Sequence, residues 1–160
     1  MIGIIAQADG GNALFLVDPK DGTSRKVLDR VGSFDWYRDA KHVIYDVEGP
    51  VSEMRAVNLD TGESEVLMKT PYTEHRVSPD GRSVSFCKAL SHSDMNLFIL
   101  PLAPPATLDG LPRAAGEPRP ATIGKGEWHV HNGGWSPDSK QVIYTRDTDT
   151  GDIYLLEGAL

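Results

Sequence analysis

Two histidines one residue apart, His129-Val130-His131, are the sharpest chemical feature of the chain. In an extended segment, residues i and i+2 point the same way, so both imidazoles would face one point. Neutral imidazole nitrogen is a good ligand for borderline divalent ions. A third nitrogen is expected from His75, and Glu127, Glu74 or Asp94 would complete a tetrahedral or octahedral shell. A divalent metal is the cofactor such a set would hold. The alternative is a group of polar side chains hydrogen-bonded to backbone and water, and an H-x-H spacing alone does not separate the two. Trp128, beside His129, and His92 join His75, His129 and His131 as ligand-binding candidates. An indole there would stack on a sugar or a peptide.

Other reactive patterns lead nowhere. Cys87 is the only cysteine, follows Phe86 in a predicted strand, and reads as a small buried hydrophobe. No G-x-S-x-G nucleophile elbow occurs, and no Ser-His-Asp arrangement follows from spacing. No residue is therefore assigned a catalytic role. Asp147-Thr148-Asp149-Thr150-Gly151-Asp152 resembles a calcium loop in outline. An EF-hand would need flanking helices and a bidentate Glu at the twelfth position, where Gly158 stands, so a hairpin turn accounts for the run. Asp9-Gly10-Gly11-Asn12 is likewise a turn and not a phosphate cradle, because no helix follows it.

The elements that position the histidines are repeats. Trp135-Ser136-Pro137-Asp138-Ser139-Lys140-Gln141-Val142-Ile143-Tyr144 reads as strand, tight turn and strand. Val77-Ser78-Pro79-Asp80-Gly81-Arg82-Ser83-Val84-Ser85-Phe86 is a second copy, and Trp36 to Tyr45 is a worn third. The turn aspartates Asp39, Asp80 and Asp138 stand 41 and 58 residues apart. Residues 103–121, rich in Pro, Ala and Gly, explain the excess, and removing about 17 of them restores the period of about 40 residues typical of four-stranded propeller blades. Each copy continues into a third apolar strand: Met54–Leu59, Asn96–Leu100 and Asp152–Leu156. Ser64–Met68 supplies a fourth, after the turn Asp60-Thr61-Gly62-Glu63.

With the strands lettered a to d, the chain divides into residues 1–30 (b-c-d), 31–70, 71–126 with a c–d insertion at 103–121, and 127–160 (a-b-c). The fold class is all-β, with about three and a half to four blades of four antiparallel strands. No window shows sustained helical periodicity. Such an array is a fragment, a minimal closed propeller, or a half that closes by forming a homodimer. Histidines 75, 129 and 131, at the d–a approaches to strand a, and His92, in a b–c loop, are then expected on one face, with His42 at the opposite end.

The pattern resembles the β-propeller repeats of the TolB type, related loosely to WD repeats. Those repeats carry W-S-P-D-G-[KR]-x-[ILV]-[AV]-[FY] at the a–b hairpin. The match is strong at 135–144, good at 77–86, where Val77 replaces Trp, and weak at 36–45, where Tyr37-Arg38 replaces Ser-Pro. A weaker resemblance is to oligogalacturonate lyases, seven-bladed propellers that hold a divalent metal through histidines, including an H-x-H-like pair. Only the repeats and His129/His131 match that family. The propeller of dipeptidyl-peptidase-like hydrolases is a third relative, and it would place catalysis outside this chain.

The net charge of −7 and the absence of a Lys/Arg stripe argue against nucleic acid as a partner. They also supply little to bind an acidic sugar. No apolar run is long enough to span a bilayer. The segment Met1-Ile2-Gly3-Ile4-Ile5-Ala6 lacks the basic start of a signal peptide, so a cytoplasmic location is expected, or a periplasmic one for a fragment. The 16 glycines and 11 prolines exceed the combined average share of about 12% and suit many turns. The reading is a non-enzymatic propeller scaffold that binds a protein, small molecule or saccharide through the face carrying the d–a and b–c loops.

Overall fold

The computed structural model describes residues 1–50, 52–69, 71–91, 94–124, 126 and 128–148. His92, Glu127 and the strand read at 152–156 lie outside the described residues.

Short-range chemistry sets the hairpins. The Ser78 hydroxyl donates to Asp80 (2.7 Å) and accepts from the Ser83 N–H (2.9 Å), while the Gly81 N–H bonds back to the Ser78 carbonyl (2.8 Å). Ser136 repeats the arrangement with Asp138 (2.6 Å), Gln141 (3.0 Å) and the Ser139 N–H (2.9 Å). In the worn copy Asp39 alone caps the turn, accepting from the Lys41 and His42 N–H groups (both 2.8 Å). Tyr37, in place of Ser, reaches out to donate to the Gly81 carbonyl of the next copy (2.9 Å). One turn chemistry therefore closes the strong copies, and the weak copy contributes a link between neighbours.

Fourteen strands form among the described residues, and no helix. The first sheet is β1 (Ile2–Ala8), β2 (Gly11–Val17) and β3 (Ser24–Asp29). The second is β4 (Val31–Trp36), β5 (His42–Val47), β6 (Glu53–Asn58) and β7 (Ser64–Met68). The third runs β8 (Thr73–Val77), β9 (Ser83–Ser91) and β10 (Asp94–Ala103). Two short strands, β11 (Arg113–Ala114) and β12 (Arg119–Pro120), both pair with β10. The fourth is β13 (His129–Trp135) with β14 (Val142–Asp147). All these ladders are antiparallel between strands consecutive in the chain, apart from the β10–β12 pairing.

The core lies between sheets, because alternate residues of one strand serve different neighbours. Val43 and Tyr45 of β5 join Leu14 of the first sheet, while Ile44 between them joins Val84, Phe86 and Leu100 of the third. On β9, Phe86 faces the second sheet and Cys87 faces Val130 of the fourth. A single blade buries one face against each neighbour, so this is stacking of blades and not a sandwich.

The segment at 103–121, whose Pro-rich composition reads as a flexible or extended loop, is anchored. Its carbonyl at Asp109 accepts from Asn58 Nδ2 (3.1 Å), its Asp109 carboxylate meets Lys41 (3.3 Å), and Leu111 packs on the core between the second and third blades. Apolar contacts within reach and a free outer edge on β10 hold it in place.

Candidate functional site

The innermost strand of three blades is bulged at corresponding places. In β4 two residues, Gly32 and Ser33, oppose Asp46; in β8 Glu74 and His75 oppose Phe86; in β13 Gly133 is the extra residue. A bulge re-aims the side chains around it. The third of these decides which residues meet. Outward from the Trp135–Val142 pair, an unbroken ladder would set His129 against Thr148. The extra residue at Gly133 sets it against Asp147 instead, with His131 against Thr145. Only glycine fits there, since a Cβ on Gly133 would stand 2.8 Å from the Ile143 carbonyl oxygen.

The result is a cluster of three donors. His129, His131 and Asp147 each offer one ligand atom, and these atoms lie within 4.8 Å of one another. The two imidazole rings are 4.4 Å apart between centroids. His129 is half-buried, while the side chains of His131 and Asp147 are exposed.

Glu74 holds the second ring. Its backbone sits in the left-handed region, at φ 54°, a conformation unfavourable for a residue with a side chain. Reciprocal contacts across the blade boundary keep it there. Asn132 Nδ2 donates to the Glu74 carbonyl (2.6 Å), and the Asn132 N–H donates to the Glu74 carboxylate (2.8 Å). His131 Nδ1 lies 2.7 Å from the same carboxylate. Burial alone would raise the Glu74 carboxyl, but the hydrogen bonds from His131 and the Asn132 N–H prevail and hold it below the usual range. An ionised carboxylate only accepts, so His131 Nδ1 carries the proton; in the neutral imidazole Nε2 then keeps its lone pair. Imidazoles that bind metals are oriented in this way.

His75 does not join them. It is fully buried at the second and third blade boundary, with Nε2 3.1 Å from the Ile44 carbonyl and Nδ1 3.1 Å from Ser33 Oγ. Burial pushes its pKa below the ordinary 6.5. Both nitrogens are used by the fold, and Asp147 takes the place expected for it. Asp94 is also outside the cluster; its backbone bridges Trp128. Trp128 is half-buried against the core of the third and fourth blades, with the Arg146 guanidinium 3.8 Å over its ring. Cys87 is buried and its thiol is pushed up to about 12, by burial first and by the neighbouring Glu74 carboxylate. It is no nucleophile.

The fold also assembles Ser33, Asp46 and His75, which no sequence spacing announces. The Ser33 hydroxyl donates to Asp46, whose carboxylate is 3.9 Å from His75 Nδ1. Here the carboxylate holds the serine, and the far imidazole nitrogen faces a backbone carbonyl. With His75 sealed from solvent, the group ties two blades together and presents no nucleophile.

No protein-family profile matches the chain, and no curated protein sequence matches it. Solved structures that resemble it include two propellers. The crystal structure of TolB from Acinetobacter baumannii superposes with a TM-score of 0.69 at 19% identity, covering 92% of this chain and 36% of that one. The β-propeller domain of the Trilobed protease from Pyrococcus furiosus, described as having an open velcro topology, gives 0.51 at 11% identity, covering 94% and 53%. The chain thus spans about a third and about half of these two structures. At such identities the likeness is one of fold: the chain has a TolB-like β-propeller fold, seen among the described residues as successive blades without a closed ring.

Proposed function

We propose that the chain is a TolB-like propeller scaffold, with no catalytic machinery of its own, that binds its ligand where β13 begins and β14 ends. His129, His131 and Asp147 hold a divalent metal there, and the metal receives a donor atom of the ligand. The observation behind this reading is the convergence of three donors beside a carboxylate that fixes the tautomer of one of them. Two nitrogens and one oxygen suit Zn²⁺ and its first-row neighbours better than Mg²⁺ or Ca²⁺, which favour all-oxygen shells. Three protein donors leave a position for a ligand. Trp128 and Arg146, each adjacent in sequence to a member of the cluster, add a ring and a guanidinium for a protein or saccharide ligand.

Of the other described histidines, His42 and His75 are 1% and 0% exposed, so neither can serve as the base of an elimination, which favours the scaffold over a lyase with a histidine base.

Titration calorimetry with Zn²⁺ tests the site. One ion per chain is expected to bind at micromolar concentration or tighter. His129→Ala or His131→Ala removes binding, and Glu74→Gln weakens it about 10–100-fold. Absence of binding at micromolar metal, or binding that survives both histidine changes, rules the reading out.

A further inference from the structure

A second recess lies far from the histidines, at the outer rim between the second and third blades. In the second blade the outermost strand, β7, is unbroken and sends Leu67 and Met68 into the inter-blade core. In the third blade the equivalent edge is split between β11, which pairs with the C-terminal end of β10, and β12, which pairs with its middle. The Ala115 N–H still donates to the Pro101 carbonyl (2.9 Å), and Gly116, Glu117 and Pro118 interrupt the ladder between the two. Where a continuous strand would place side chains, a recess of about 420 Å³ remains. Its walls are Leu67 and Met68 from one blade and Phe86, Phe98 and Leu100 from the other. That volume is within the range of small-molecule sites, about 300–1,000 Å³, and the lining is mixed, with Lys69, Lys88 and Glu117 beside the apolar side chains.

The charges at the recess select the ligand. Lys88 lies over the Phe98 ring, 5.8 Å from its centroid, and has no ion pair among the described residues. Lys69 also lines the recess, tied to Glu53 (3.0 Å). Glu117 lines it too, which disfavours a ligand with several negative charges. We propose that this recess binds a small amphiphilic monocarboxylate, with its alkyl or aryl body on Phe98, above the sealed floor of Phe86 and Leu100, and its carboxylate on Lys88. The site is independent of the metal cluster.

Octanoate is the probe, with 1-octanol as its uncharged counterpart, followed by NMR shift mapping and calorimetry in the presence of EDTA. Saturable octanoate binding is expected, with shifts at Phe86, Phe98 and Leu100. Lys88→Met keeps the aliphatic stem and removes the charge, so it should weaken octanoate about tenfold or more and leave octanol unchanged. Gly116→Leu should block both, since a Cβ there has ordinary room, 3.6 Å from Pro101, and the longer side chain fills the recess. Melting curves establish that both variants fold. The proposal is overturned by non-saturable binding up to about 1 mM, by shifts elsewhere on the wild-type protein, or by a Lys88→Met variant that binds octanoate as well as the wild type.

Discussion

At the scale of single residues, the four described histidines divide by environment. His129 is half-buried, His131 is exposed, and both meet a carboxylate. His42 is buried with Nδ1 2.9 Å from Asp39, and His75 is sealed between blades. That last burial has a pH consequence. The folded-state pKa of His75 lies below its unfolded value near 6.5, because burial disfavours the imidazolium. Its stabilising contribution is therefore fully present above about pH 6.5 and falls as pH drops below it, by at most about 1.4 kcal/mol per pH unit for one proton. Urea unfolding at pH 7.5 and pH 5.5 is expected to show this loss, and a His75→Asn variant to lack it. An unchanged pH slope in the variant would assign the effect elsewhere. The sequence displays His75 and His131 as equals, two histidines near the start of an inner strand. Only the packing of Ser33 and Ile44 around one of them separates a sealed histidine from one that reaches solvent.

At the scale of elements, the β13–β14 hairpin shows how one residue of register builds or abolishes a site. The turn from Ser136 to Gln141 is legible from its residue types. The bulge before it is not, because Gly133-Gly134 permits several backbone paths. Yet the bulge selects Asp147 over Thr148 as the partner of His129. Gly133→Ala would drive a Cβ against the Ile143 carbonyl. It should cost about 1–3 kcal/mol of stability and remove Zn²⁺ binding if the hairpin reverts to regular pairing. A variant with unchanged urea midpoint and unchanged metal affinity would show that the bulge is not required. At 103–121 proline and alanine read as a flexible or extended loop, and its ties to Asn58 and Lys41, distant in sequence, are visible only in the structure.

At the scale of the whole molecule, apolar side chains stand exposed on the first and last of the described sheets. On β1, Gly3 faces Phe34 of the second blade, so its neighbours Ile2 and Ile4 face away, 51% and 45% exposed. On β14, Ile143 is 66% exposed. Apolar faces of this kind associate. Sedimentation velocity is expected to show concentration-dependent self-association of the chain. Ile4→Asp or Ile143→Asp should reduce it without lowering the melting temperature. A single monomeric species across the concentration range would contradict this.

The repeat, its turns and its strand alternation are local properties, written in residue type and spacing, and they determine an all-β array of stacked blades. Serine, aspartate and glycine at the turns act within a few residues of themselves, so they can be read in one dimension. The site depends on contacts between residues 57 and 58 positions apart, Glu74 with His131 and Asn132. It depends also on a register set by a single extra residue. Neither leaves a periodic trace in the chain. The tertiary structure alone decides that His129 and His131 meet Asp147 while His75 is sealed in the core, because burial and cross-blade hydrogen bonds form only once the blades are stacked.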